Sequence, residues 1–118
     1  MKYHIVEDAG FFLIKISGEP RKNEAIFAKR VLSTYLKEKG IRVIMDLKGL
    51  EKFEPITLLG VLNGVRKEVD LLGGALKLCS LKPEILNYFR ENRLDQFFQI
   101  YEDEERAKKS EWRNYGKR

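Results

Sequence analysis

Between Ile41 and Leu47 the apolar residues Val43, Ile44 and Met45 follow one another with no polar residue between them. A strand of that kind has no face to give to water, so it needs cover on both sides, with helices on at least one of them. The flanking sequence supplies such helices. From Glu24 to Glu38 the apolar residues Phe27, Ala28, Val31, Leu32, Tyr35 and Leu36 recur at spacings of three and four, with Asn23 placed as an N-cap and Gly40 just beyond the end. On the other side Pro55 opens a second helical pattern, Ile56, Leu59, Leu62, Val65 and Val69, which Gly73 and Gly74 terminate.

The remaining segments fit the same scheme. Tyr3 to Val6 and Phe11 to Ile16 are two apolar runs joined by Glu7, Asp8, Ala9 and Gly10, the signature of an antiparallel hairpin. Ala75 to Leu81 and Phe97 to Tyr101 read as strands, with a short helix opened by Pro83 between them. A last helix is expected over Glu102 to Lys109, whose acidic start and basic end complement a helix dipole. The order is β-β-α-β-α-β-α-β-α, so strands following a crossover helix should be parallel and the opening pair antiparallel. The expected fold is α/β: a mixed sheet of four or five strands with an N-terminal antiparallel hairpin and about four flanking helices.

Composition narrows the function. The net charge of +5 suggests nucleic acid until it is located: residues 1–105 balance 17 Lys/Arg with 17 Asp/Glu, and six basic residues against one acid, Glu111, fall in 106–118. The excess is terminal, and KKSEWRNYGKR interleaves basic side chains with Trp112 and Tyr115. Such interleaving suits single-stranded nucleic acid or an acidic surface; it equally suits a solvated terminus or a tryptophan folded back on the domain. One cysteine, Cys79, and one histidine, His4, leave no internal disulfide, no usual zinc spacing and no unforced catalytic triad. Cys79 reads as a core residue. Asp46, at the expected end of its strand, reads as a strand-end cap or a ligand contact at the edge where open sheets bind ligands. No glycine-rich phosphate-binding fingerprint is present. The N-terminus MKYHIVEDAG is charged where a signal peptide would be apolar, and no apolar run approaches the ~20 residues of a membrane span, so a cytoplasmic protein is expected.

The element order, together with particular residues, resembles the STAS domain, the family that includes the bacterial anti-sigma factor antagonists. The most informative stretch is DLKGLEKFEPITLLGVL, Asp46 to Leu62, which is similar to the family's strand ending in Asp-Leu-Ser-Gly followed by Asp-Ser-Ser/Thr-Gly at a helix start. Ser17-Gly18-Glu19, Gly73-Gly74, Leu81-Lys82-Pro83 and Leu94-Asp95 with Phe97-Phe98 match in order and spacing. The resemblance covers roughly residues 3–110, leaving 111–118 as a basic tail.

The resemblance implies a binding role: in the antagonists the serine after the loop aspartate is phosphorylated by a partner kinase that is also the anti-sigma factor. Here the aspartate position is Glu54, the serine position Pro55, the next Ile56 and the glycine position Thr57. Pro55 keeps the helix start, since a first helical residue has no N–H to lose, and removes the hydroxyl. Glu54 beside the helix N-terminus is favourable by about 0.3 to 1 kcal/mol. Thr57, the only hydroxyl of this junction, is the candidate for a displaced phosphoacceptor, against the plain reading of an ordinary helix residue. The expected contact face combines Phe53, Glu54, Pro55, Ile56 and Thr57 with Glu19, Arg21 and Asn23 at its rim, Phe53 serving as anchor or core. The implied function is a protein-binding regulator of transcription, a monomer or weak dimer without enzymatic activity, cofactor or metal, whose partner is an anti-sigma factor or serine kinase-like protein. The alternative is a small nucleic-acid- or nucleotide-binding domain using the tail.

Overall fold

The computed structural model of the chain describes residues 2–8, 10–19, 34 and 37–112. Five strands form one sheet in the order of the chain: β1 (Lys2–Asp8), β2 (Phe11–Gly18), β3 (Arg42–Leu50), β4 (Ala75–Cys79) and β5 (Gln99–Tyr101). β1 and β2 pair antiparallel, and β2–β3, β3–β4 and β4–β5 are parallel, as the crossover argument requires. Among the described residues three α-helices accompany the sheet, α1 (Pro55–Leu71), α2 (Pro83–Glu91) and α3 (Glu104–Lys109), where about four are expected. The expected first helix, Glu24 to Glu38, falls almost wholly outside the described residues, as do its N-cap Asn23 and the neighbouring Arg21.

Strand alternation divides the core into two clusters. Ile14, Ile16, Val43, Met45, Leu47, Leu76 and Leu78 face α1 and α2, meeting Leu58, Val61, Leu62 and Val65 of α1 and Phe89 of α2. Their neighbours along the strands, Leu13, Ile44 and Cys79, face the other way and are covered by Ala107 of α3 with Phe11, Tyr101 and Trp112. The uninterrupted run of β3 is therefore buried from both sides.

β1 runs on through Glu7 and Asp8, the last helix starts at Glu104 and not Glu102, and three further boundaries differ from expectation for local reasons. β3 continues through Lys48 and Gly49 to Leu50, because Ser17 and Gly18 pair with Gly49 and Leu50 after a register shift in β2. Asp46 thus lies within β3, opposite Lys15 on one side and Cys79 on the other, not at a strand end. β4 stops at Cys79, since Ser80 turns the chain with φ +59. Phe97 and Phe98 belong to the turn after a 3₁₀ segment, Leu94–Gln96, with Phe98 buried and Phe97 half exposed.

A candidate docking surface at the start of α1

The link between β3 and α1 is short, Glu51 to Glu54, and is tied to the end of β2. Glu51 N–H donates to the Gly18 carbonyl at 2.9 Å, and the Lys52 ammonium lies 3.5 Å from the Glu19 carboxylate. This exposed ion pair is worth at most about 1 kcal/mol, but it places Glu19 beside the loop. Glu54 is the N-cap of α1: its backbone is extended and its carboxylate accepts the Ile56 N–H at 3.3 Å. Pro55 follows as the first helical residue.

The next side chains separate into two roles. Phe53 is half-buried and meets the Tyr88 ring edge-on at 5.2 Å between centroids, so it packs towards the core and does not project as an anchor. Ile56 is 83% exposed, while Leu58, two residues on, is fully buried. A large aliphatic side chain on an exposed first turn contributes nothing to this fold's core. Thr57 is half-buried between them. Of the eight residues expected at the contact face, Glu19, Phe53, Glu54, Pro55, Ile56 and Thr57 are brought together at one corner; Arg21 and Asn23 lie outside the described residues.

The other reactive candidates are held in structural positions. Cys79 is buried, and burial first and then the Asp46 carboxylate push its thiol up to about 12, which leaves no thiolate at neutral pH. Asp46 Oδ1 accepts the Lys48 N–H at 2.8 Å, and the Asp46 carboxyl also bonds that of Glu104. That bond, with burial, raises the Glu104 pKa above the usual glutamate range. Among the described residues no group of three or more His, Cys, Asp or Glu side chains is placed to hold a metal, and no helix is long and apolar enough to cross a membrane.

The C-terminal basic residues are partly accounted for by α3. Arg106 pairs with Glu102, and Lys108 lies 3.8 Å from Asp8 and 3.6 Å from Glu105. Trp112 tilts against Phe11 at 6.3 Å and receives the Arg42 guanidinium at 5.6 Å. Sequence reasoning passed over Lys77, which lies wholly buried in β4. The available signal was a single lysine inside a strand run, Ala75 to Leu81, otherwise almost entirely apolar.

A mixed sheet with an antiparallel hairpin leading into parallel strands, and a capped helix start beside the β2–α1 corner, is the architecture found in STAS domains. The STAS domain family model matches residues 3–107, and the chain belongs to that family. Among solved structures, an anti-sigma factor antagonist from Mycobacterium paratuberculosis superposes with a TM-score of 0.72 at 16% identity, covering 90% of this chain and 89% of that one. An anti-sigma factor antagonist (STAS) domain protein from Planctomyces limnophilus gives 0.67 at 18%, covering 89% and 93%. The phosphorylated form of SpoIIAA, a Bacillus cell fate determinant, gives 0.66 at 16%, covering 91% and 97%. No curated protein matches the chain by sequence.

Proposed function

We propose that the chain is a protein-binding regulator of the anti-sigma factor antagonist type, which engages an anti-sigma factor or serine kinase-like protein through the corner formed by Glu19, the Glu51 to Glu54 link and the first turn of α1. The observation that carries this reading is Ile56, a large apolar side chain 83% exposed on a helix start that Glu54 caps and Pro55 stiffens. An exposed aliphatic centre with a charged rim of Glu19, Lys52 and Glu54 has the anatomy of a specific contact patch. Membership of a family whose solved relatives include several anti-sigma factor antagonists supports the partner class.

In this reading the serine switch is absent, because Pro55 has neither hydroxyl nor amide hydrogen, and affinity is set by the surface itself. Thr57 is the one hydroxyl at the junction, half-buried within the first turn. Immobilised full-length protein should retain an anti-sigma factor or kinase-like protein from the native lysate. Ile56→Asp should reduce that retention at least about tenfold while the unfolding free energy changes by no more than about 0.5 kcal/mol, as for an exposed site. Equal retention by the variant would remove this corner from the interface. The protein recovered after incubation with its partner and ATP should show no added phosphate by intact mass; a phosphate mapped to Thr57 would reinstate a displaced switch.

A further inference from the structure

A groove of about 740 Å³ opens along β1 and the ends of β2 and β3, away from the docking corner's Ile56. Strand alternation sets its polar side chains on the α3 side of the sheet: His4 is paired with Lys15 and Lys2 with Ser17 across the hairpin, and Lys15 with Asp46 across the parallel pair. α3 packs over β3, β4 and β5 and leaves this part of the face open.

The concavity is built by a backbone irregularity. Between Lys15 and Ser17 the register of β2 against β3 shifts, and such a bulge bends the strand and redirects its side chains. Gly49 faces Ser17 there. A Cβ on Gly49 would stand 2.7 Å from the Ser17 Cβ and 3.0 Å from the Ile16 carbonyl oxygen, so the two strands approach this closely only because Gly49 has no side chain.

Charge in the groove is unevenly matched. At its inner end Lys15 lies 3.6 Å from Glu104, and Asp46 is engaged by the Lys48 N–H and by Glu104. Lys2 and Lys48 are exposed with no carboxylate partner among the described residues. His4 and the half-buried Ser17 lie beside them, and the buried Ile16 contributes to the floor. Two unmatched ammonium groups, an imidazole and a hydroxyl around a concave floor are complementary to anionic oxygens. The volume falls in the range of about 300 to 1,000 Å³ typical of small-molecule sites.

We propose that this groove binds a small organic polyanion, a phosphate ester or a polycarboxylate, with Lys2 and Lys48 as the direct cations and Ser17 as a hydrogen-bond donor. The groove's lining includes neither Ile56 nor the Glu51 to Glu54 link, and its occupancy is read without any protein partner. The test titrates the full-length chain separately with inorganic pyrophosphate and with citrate, following backbone amide NMR shifts and heat of binding. Saturable binding is expected, with the largest shifts at Ser17, Lys48 and Gly49. A preference for pyrophosphate assigns phosphate esters, a preference for citrate polycarboxylates, and equal binding a general polyanion site.

Lys48→Glu should weaken binding about tenfold, the loss of one charge-assisted contact, whereas Lys67→Glu, the same charge change at an exposed position on α1, should weaken it less than about twofold. Lys2→Glu, on the exposed edge strand, serves as the second variant if Lys48→Glu does not fold. Absence of saturable binding to both probes, or equal weakening by the groove variant and Lys67→Glu, overturns the proposal.

Discussion

The Lys77 ammonium makes its hydrogen bonds to the C-terminal segment. It donates to the Ala107 carbonyl at 2.7 Å, the Ser110 carbonyl at 2.9 Å and the Ser110 hydroxyl at 2.6 Å, and the Trp112 ring covers it at 4.0 Å. Three donors therefore meet three oxygens at the end of α3, where carbonyls lack helical partners. Burial, and then the Arg42 guanidinium, still lower its pKa from 10.5 to about 8. A lysine whose folded pKa lies below its unfolded value contributes stability above the unfolded pKa, and that contribution is lost as pH falls through about 8. Cys79 acts in the opposite sense: its folded pKa is raised from 9.0 to about 12, so stability falls once unfolded thiols ionise above pH 9. From pH 8 to 9, ahead of most of that opposing loss, Lys77 should raise the unfolding free energy by about 1 kcal/mol. Denaturant titrations at the two pH values should show this rise in the wild type and not in Lys77→Met; parallel slopes would mean that Lys77 is solvated.

At the scale of elements, the joint between α1 and β4 is a close contact that depends on glycine. α1 ends at Leu71, Gly73 takes φ +66, and Gly74 N–H donates to the Val69 carbonyl at 3.0 Å. The next residue, Ala75, donates to the Ile41 carbonyl at 2.8 Å, which starts the β3–β4 pairing. A Cβ on Gly74 would run into that same Ile41 carbonyl oxygen, a backbone atom that cannot swing aside. Gly74→Ala should cost about 1 to 3 kcal/mol, the range for overpacking a closed site, whereas Gly10→Ala meets no atom and is penalised only by its φ of +83. Chemical unfolding of both variants checks the ranking, and an equal loss would place the strain in the turn conformations alone.

The whole molecule shows which parts of the fold could be read in advance. The hairpin, both proline-opened helices and the parallel order follow from local patterns, because apolar spacing and helix-start chemistry act within a few residues. The end of β3 does not: Lys48 and Gly49 look like loop residues, and only the bulge in a distant strand extends the pairing to Leu50. Phe53 and Ile56 are equally apolar neighbours in sequence, and the ring of Tyr88 decides which turns inward. The terminal charge misleads for a related reason, since Arg106 and Lys108 find acids supplied partly by β1 and by the start of α3 itself. Removing residues 106–118 therefore takes Ala107 and Trp112 from the cover of Leu13, Ile44 and Cys79, together with the hydrogen-bond partners of Lys77. Such a truncation should lose at least about 3 kcal/mol, as expected when one partner of a buried charge is removed, and should bind a hydrophobic dye. An unchanged melting curve would show that α3 lies on the sheet without supporting it.

Because the strands lie side by side in the order of the chain, every addition to the sheet joins a strand to the one synthesised before it. A nascent chain that has emerged as far as Tyr101 already holds all five strands, and what it lacks is the cover on one side. Closure comes only when Ala107, Ser110 and Trp112, which follow β5 in the chain, reach Lys77. Until then a buried lysine is a solvated one, holding open to water the face that it will later seal.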